Sequence, residues 1–129
     1  MVYESYSNNN FELIGRVSRI NDIAKGKVAS IFLAVDMSNR YGNGRKTEYI
    51  PVKCFMPERV NEIREGNPFV MIKGHMAINA YEKDGVKKVQ TDLIADTIAY
   101  LEAKSVVQER IARKRQAAEE EYVYDMNLY

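Results

Sequence analysis

Apolar residues recur at every second position through much of the first hundred residues, and a period of two predicts strands rather than helices. FELIGRVSRI (11–20) sets Phe11, Leu13 and Val17 on one face and Glu12, Arg16 and Ser18 on the other, with Gly15 marking a bend or a close backbone approach. NDIAKGK (21–27) predicts a turn, and VASIFLAVD (28–36) a second strand with Ile31, Leu33 and Val35 inward. TEYIPVKCF (47–55) predicts a third, with Ile50, Val52 and Cys54 toward a core and Tyr49, Lys53 and Phe55 away from it. Pro51 donates no ladder hydrogen bond, so an edge position or a bulge is expected there. NPFVMIKGHMAINAY (67–81) predicts a long fourth strand, with Val70, Ile72, Met76 and Ile78 on one face and Lys73, His75, Asn79 and Tyr81 on the other. Asp84-Gly85 is a hairpin-turn pair, and a fifth strand follows from about residue 87 to 98 with Val89, Thr91 and Leu93 inward.

Two segments break this rhythm. PERVNEIREG (57–66) predicts a short helix, with Pro57 in its first turn, Val60 and Ile63 on one face and Gly66 as its stop. Residues 102–121 hold good helix formers and no Gly or Pro, but the apolar stripe is little more than Val107 and Ile111. Such a helix needs a partner or stays partly solvated. The polar first ten residues read as a loose arm, and residues 37–46 as a loop in which Arg40, Tyr41, Arg45 and Lys46 surround Gly42-Asn43-Gly44. Five strands with a helix between the third and fourth predict an all-β, five-stranded barrel with the order of the oligonucleotide/oligosaccharide-binding (OB) fold. The expected division is a barrel over residues 1–101 and a helix-prone extension with an acidic-aromatic tail over 102–129.

A length of 129 residues suits one domain with an appendage. The net charge of +1 argues against a chain driven by bulk positive charge, although RIARKR (110–115) carries four positive charges before the acidic run at 119–121. No apolar run of about 18 residues exists, and the N-terminus has neither a basic n-region nor an apolar h-region. No membrane partner is expected, and with Cys54 as the single cysteine a reducing cytoplasm is the expected setting. The chain has no phosphate-binding glycine loop and no Cys/His metal spacing, and its one histidine, His75, has no triad partner at an obvious spacing. A non-enzymatic protein without cofactor or metal is expected.

The ordered segments resemble those of the bacterial single-stranded DNA-binding proteins over about residues 10–101. Asn10-Phe11-Glu12-Leu13-Ile14-Gly15-Arg16-Val17 is similar to the family's opening strand, and Ile31-Phe32-Leu33-Ala34-Val35 to its second. Thr47-Glu48-Tyr49 through Phe55 resembles its third, and Gly66 followed by Val70-Met71-Ile72-Lys73-Gly74 its fourth. The resemblance implies base stacking by Tyr49, Phe55 and Tyr81, with Tyr41 as a further stacker from the loop. It implies phosphate contacts by Arg16, Lys53, Lys73, Lys87 and Lys88, joined by Arg40, Arg45 and Lys46. The family often stacks with Trp, and this chain has none. The family's flexible linker and Pro-Phe tip are also missing: a charged, helix-prone segment leads to Asp125-Met126-Asn127-Leu128-Tyr129 instead.

The implied function is sequence-tolerant binding of single-stranded DNA that protects it in replication, recombination or repair. Aromatic platforms take bases, cations take phosphates, and binding weakens with salt because each neutralised phosphate releases counterions. The implied assembly is a homo-oligomer, dimer or tetramer, with replication or recombination proteins as candidate partners of the C-terminal tail. Two other readings compete: an OB-fold adaptor of a primosome or conjugation assembly, and a single-stranded RNA chaperone. For each site residue there is also a structural reading. Tyr49 and Phe55 would suit a subunit interface, the lysines a solvated sheet edge, and RIARKR a solvated helix face.

Overall fold

In the computed structural model the described residues are 7–38 and 44–127, the side chains at 45 and 122–127 excepted. The expected position of Arg40 and Tyr41 therefore lies outside the described residues. The elements run β1 (Phe11–Ile23), a 3-10 turn (Ala24–Gly26), β2 (Val28–Ser38), β3 (Arg45–Cys54), α1 (Pro57–Glu62), β4 (Phe69–Lys83), β5 (Val86–Tyr100) and α2 (Lys104–Asn127). The strands close into a barrel in the order β1-β2-β3-β5-β4, with β4 returning to β1. Neighbours are antiparallel except β3 and β5, which meet in parallel at Lys53 and Ile94. This is the OB architecture that the strand pattern predicts.

The inward positions of the five strands fill the barrel. Ile31, Leu33, Val52, Val70 and Ile72 have no measurable exposure, and Cys54 is buried with them. Each such aliphatic side chain contributes about 1.5–3 kcal/mol of transfer free energy. The short helix α1 plugs one end with Val60 and Ile63, both buried, and Pro57 stands in its first turn where an N–H has no helical partner anyway.

Pro51 occupies an edge. It lies opposite Phe32 in an unbroken β2–β3 register, while β5 registers with β3 only at Lys53, so no second ladder asks for its missing N–H. The sheet's bulges lie elsewhere, at Ser18 in β1 and at Asp96 in β5. They help bend the sheet toward closure.

The strand pattern misleads in the upper half of β4 and β5. Residues 78–83 and 86–91 form a hairpin arm that runs past the barrel, closed by Asp84 and Gly85 at positive φ as a two-residue turn requires. Val89 and Thr91, expected inward, are exposed, and Ile78 is 67% and Val89 69% accessible. Alternation there marks a face, but the barrel does not reach far enough to bury it. At the other end the arm is not loose throughout: Asn9 donates to the Met76 carbonyl (2.8 Å) and accepts from the Met76 N–H (2.9 Å), copying a strand pair.

Gly15 and Gly74 have physical reasons. A Cβ at Gly15 would meet the Ala34 carbonyl, and one at Gly74 would meet the Ile94 carbonyl and the Phe11 ring. Backbone cannot retreat there without opening the barrel. Gly74→Ala is expected to destabilise the fold by about 2–4 kcal/mol, read as a lowered urea midpoint, whereas Gly85→Asn at the open hairpin turn should change it by less than about 1 kcal/mol.

Candidate nucleic-acid interface

Three strands build one continuous outer wall. The registers set Arg16 opposite Ala34 and Ala34 opposite Tyr49, then Arg19 opposite Phe32 and Phe32 opposite Pro51. Tyr49 is 62% exposed on this wall, and Phe55, just past the end of β3, is exposed as well. The Arg19 guanidinium lies over the Phe32 ring at 4.3 Å, a cation–π contact that holds a charge beside an aromatic face. Arg19 and Phe32 were not expected here. The available signal was Phe32 standing out of phase with Ile31, Leu33 and Val35, which puts it on the outer face.

The wall continues onto the hairpin through an ion pair. Lys53 Nζ donates to Asp92 Oδ2 at 2.8 Å, and Gln90 Nε2 donates to Asp92 Oδ1 at 3.0 Å. Asp92 shares its hairpin face with Gln90 and Lys88 of β5 and with Asn79 and Tyr81 of β4, because the registered pairs are Ala77–Asp92, Asn79–Gln90 and Tyr81–Lys88. The exposed Tyr81 and Lys88 thus lie on the hairpin face to which Lys53 is tied. The opposite hairpin face exposes Met76, Ile78 and Val89, with Thr91, Glu82 and Lys87 beside them.

The expected phosphate ligands separate. Lys88 lies beside Tyr81, but Lys87 is registered with Glu82 on the other hairpin face. Lys73 sits on the β1–β4 wall with Nζ 3.7 Å from Glu12, two strands from Tyr49 by the shorter way round. Lys46 pairs with Glu48 at 2.9 Å, and residue 45 is placed in β3 opposite Ser38. Arg16 donates to the Asn67 carbonyl (2.9 Å) and to Glu102 (3.3 Å), next to Phe69.

RIARKR is not merely a solvated face. Arg110 makes a fork to both oxygens of Glu102 at 3.0 Å and also donates to the Gly66 carbonyl. Lys114 reaches Asn67 Oδ1 at 2.6 Å, and Arg115 reaches Glu65 at 2.8 Å. Val107 and Ile111 close over Gly66, whose φ of +82° ends the segment after α1 and which has no room for a Cβ. So α2, about 36 Å long by its 24 residues, is fastened to the barrel by its first half.

The Glu102 carboxyl also accepts the Phe69 N–H at 3.0 Å. The Arg110 fork is the main cause, ahead of the Phe69 bond and the nearby charge of Arg16, of a pKa held down to about 2 from the ordinary 4.5. Burial pushes the Cys54 thiol the other way, up, so it is a core residue and no nucleophile. Among the described residues no group of three His, Cys, Asp or Glu side chains gathers to hold a metal. His75 pairs with Asp96 at 3.0 Å on the surface. None of the described helices is long and apolar enough to cross a membrane.

Comparison with known proteins bears on this geometry. No family model and no curated protein matches the sequence. Among solved structures, the chain is similar to a Plasmodium falciparum SSB in complex with ssDNA, with a TM-score of 0.55 and 22% identity, over 78% of this chain and 100% of that one. It is also similar to a mitochondrial single-stranded DNA-binding protein from S. cerevisiae, with a TM-score of 0.51 and 17% identity, over 75% of this chain and 98% of that one. At these identities what is shared is the fold: the chain has the OB barrel found in single-stranded DNA-binding proteins.

Two outcomes follow from the charges. Lys53→Ala should cost about 3 kcal/mol because it leaves the Asp92 carboxylate buried without its partner, and the double change Lys53→Met/Asp92→Leu should return most of that in urea unfolding. The Glu102 contribution should be complete above about pH 4.5 and fade as pH falls toward about 2, since its folded pKa lies below its unfolded one. Amide exchange of the first half of α2 should therefore speed up, relative to the intrinsic rate, between about pH 5 and about pH 2.5, and Glu102→Gln should flatten that difference.

Proposed function

We propose that the protein binds single-stranded DNA without strong sequence preference, by stacking bases on Tyr49, Phe55 and Tyr81 and pairing phosphates with cations on the same surface. The observation that carries this reading is the outer wall itself: large aromatics held exposed on rigid strands, flanked by Arg16, Arg19, Lys53 and Lys88. A globular chain gains nothing in stability from displaying such rings to water. A single strand offers what they fit, a π-face on each base and a phosphate at each nucleotide. Two solved proteins that share the fold are single-stranded DNA-binding proteins, one of them in complex with ssDNA, which supports the same reading.

Within it, Arg40 and Tyr41 of the β2–β3 connection and Arg45 and Lys46 at the start of β3 add basic and aromatic contacts to the bound strand, and Lys73 and Lys87 serve as outlying phosphate contacts. The protein acts as a cytoplasmic, non-enzymatic homo-oligomer that shields DNA during replication, recombination or repair. The barrel of residues 1–101 is the binding domain, and 102–129 is an appended segment whose tail is available to partner proteins.

A second reading is favoured by one observation, the exposure of Met76, Ile78 and Val89 on one face of the hairpin. That face suits contact with protein and keeps an OB-type adaptor role in view, as a subunit of a larger assembly rather than a strand-coating protein.

Titration with oligo-dT, followed by tyrosine fluorescence at two salt concentrations, tests the first reading. Quenching and tighter binding at low salt are expected. Tyr49→Ala/Tyr81→Ala should weaken binding by at least about 30-fold, from the loss of two stacking platforms. Full affinity in that double variant would remove the stacking assignment. Failure of the wild-type protein to bind oligo-dT would favour the adaptor, and preference for oligo-U would favour an RNA chaperone.

A further inference from the structure

One cavity joins the barrel's outer wall to the C-terminal helix. It measures about 460 Å³ and is lined by Arg16 and Ser18 of β1, Ala34 of β2, Tyr49 of β3, Asn67, and Arg110 of α2. Its size is in the range of sites that hold a small ligand such as one nucleotide. Its chemistry is an aromatic ring at one side and two guanidiniums at the other.

The charge at the cavity is arranged by Glu102. Both guanidiniums pair with this one carboxylate, so the cluster keeps one positive charge in excess. The carboxylate side chain is only 17% exposed while that of Arg16 is 46% exposed, so the anion is tucked behind and the cation faces outward. Arg110 spends Nη1 and Nη2 on Glu102 and the backbone of Gly66, and Arg16 spends Nη1 on Asn67 and Glu102. Among the described contacts the Nε of each, and Nη2 of Arg16, carry no bond. A guanidinium has five donors, so each retains capacity for an incoming oxyanion. Locked in place by a fork, such a donor loses little entropy on binding.

We infer that this cavity is a nucleotide subsite in which Tyr49 takes the base and Arg16 with Arg110 takes the adjoining phosphate, so that the C-terminal helix supplies part of the nucleic-acid surface. The inference rests on the single-stranded DNA-binding reading and adds to it a residue beyond the barrel. Glu102 is then a positioning residue: it orients both cations without touching the strand. The arrangement also gives the docked half of α2 a role. Undocking the helix would carry Arg110 away from Tyr49 and leave the groove one cation short.

The test is oligo-dT titration of the full chain across a salt series, with four proteins: wild type, Arg110→Gln, Glu102→Gln and Arg115→Gln. Arg110→Gln is expected to weaken binding about tenfold and to lower the slope of log affinity against log salt by about 0.7, the loss of one phosphate contact on a single strand. Arg115→Gln removes the same charge from the same helix outside the cavity and should leave that slope unchanged. Glu102→Gln separates phosphate contact from helix docking, because it removes the fork but keeps both guanidiniums. It should weaken binding, but by less than Arg110→Gln, because Arg110 keeps its charge and loses only its fixed position. An Arg110→Gln protein with wild-type affinity and slope would overturn the subsite while leaving the DNA-binding reading intact. Equal weakening by Glu102→Gln would overturn it too, since docking alone would then explain the loss. If the wild-type protein binds no oligo-dT, the functional reading fails first and the subsite with it.

Discussion

Closure of the sheet at Lys53 is the constraint on which the rest of the molecule depends. A five-stranded sheet left open would expose both edges, and β3 and β5 bring those edges together at a single registered pair, Lys53 with Ile94. Closure makes inside and outside absolute. Val52 and Cys54 have nowhere to go but the core, and Tyr49, Pro51 and Lys53 nowhere but the wall. The backbone seam is short, and the side chain of the same lysine reinforces it by crossing to Asp92. Gly15 and Gly74 serve the same end, since a side chain at either would wedge neighbouring strands apart. The outer wall of exposed rings and cations is thus a by-product of how the barrel shuts.

The helix α2 depends on a second point of the same kind. Its apolar stripe is too thin to hold it, and Val107 with Ile111 covers little more than Gly66. The polar contacts of Glu102, Arg110, Lys114 and Arg115 make up the difference. These differ in worth. The Arg115–Glu65 pair is largely exposed, and pairs of that kind contribute about 0–1 kcal/mol. The Glu102 node is shielded, forked and backed by a backbone amide, which makes it the contact that sets where the helix lies.

The barrel was legible because strand alternation reports burial directly, and the core residues of β1, β2 and β3 fall where a period of two places them. Pro51 could be read as an edge residue from its missing N–H alone. What alternation cannot report is how far a barrel extends. Val89 and Thr91 alternate as a core strand would, yet they belong to a hairpin arm with no opposing layer. Tertiary pairs were also beyond the sequence. Nothing in TEYIPVKCF says that Lys53 meets Asp92, 39 residues away, and nothing in RIARKR says that Arg110 folds back on Glu102 and the Gly66 carbonyl. The outward placement of Tyr49 and Lys88 was legible. The separation of Lys87 from Lys88 was legible too, since neighbours in a strand face opposite ways, but the distance of Lys73 from Tyr49 was not, because it depends on the order in which the strands close.

In the single-strand-binding function proposed above, these pairings change how the surface meets a strand. A net charge of +1 cannot draw nucleic acid from a distance, and the cations nearest Tyr49 are partly balanced: Lys53 by Asp92, Lys46 by Glu48, Arg16 by Glu102. A paired cation still donates to a phosphate, but its partner's charge offsets the long-range field and reduces the gain from counterion release. More of the binding energy must then come from stacking, which is short-ranged and indifferent to base identity. Rigid placement of the rings is what makes that sufficient. Tyr49 and Tyr81 stand on strands whose registers are fixed by the barrel and by a two-residue turn, so little ordering remains to be done when a base arrives. In the proposed function the fold thus sets the balance of the interface: the registers hold the rings in position, and the ion pairs shift recognition from charge toward the aromatic faces.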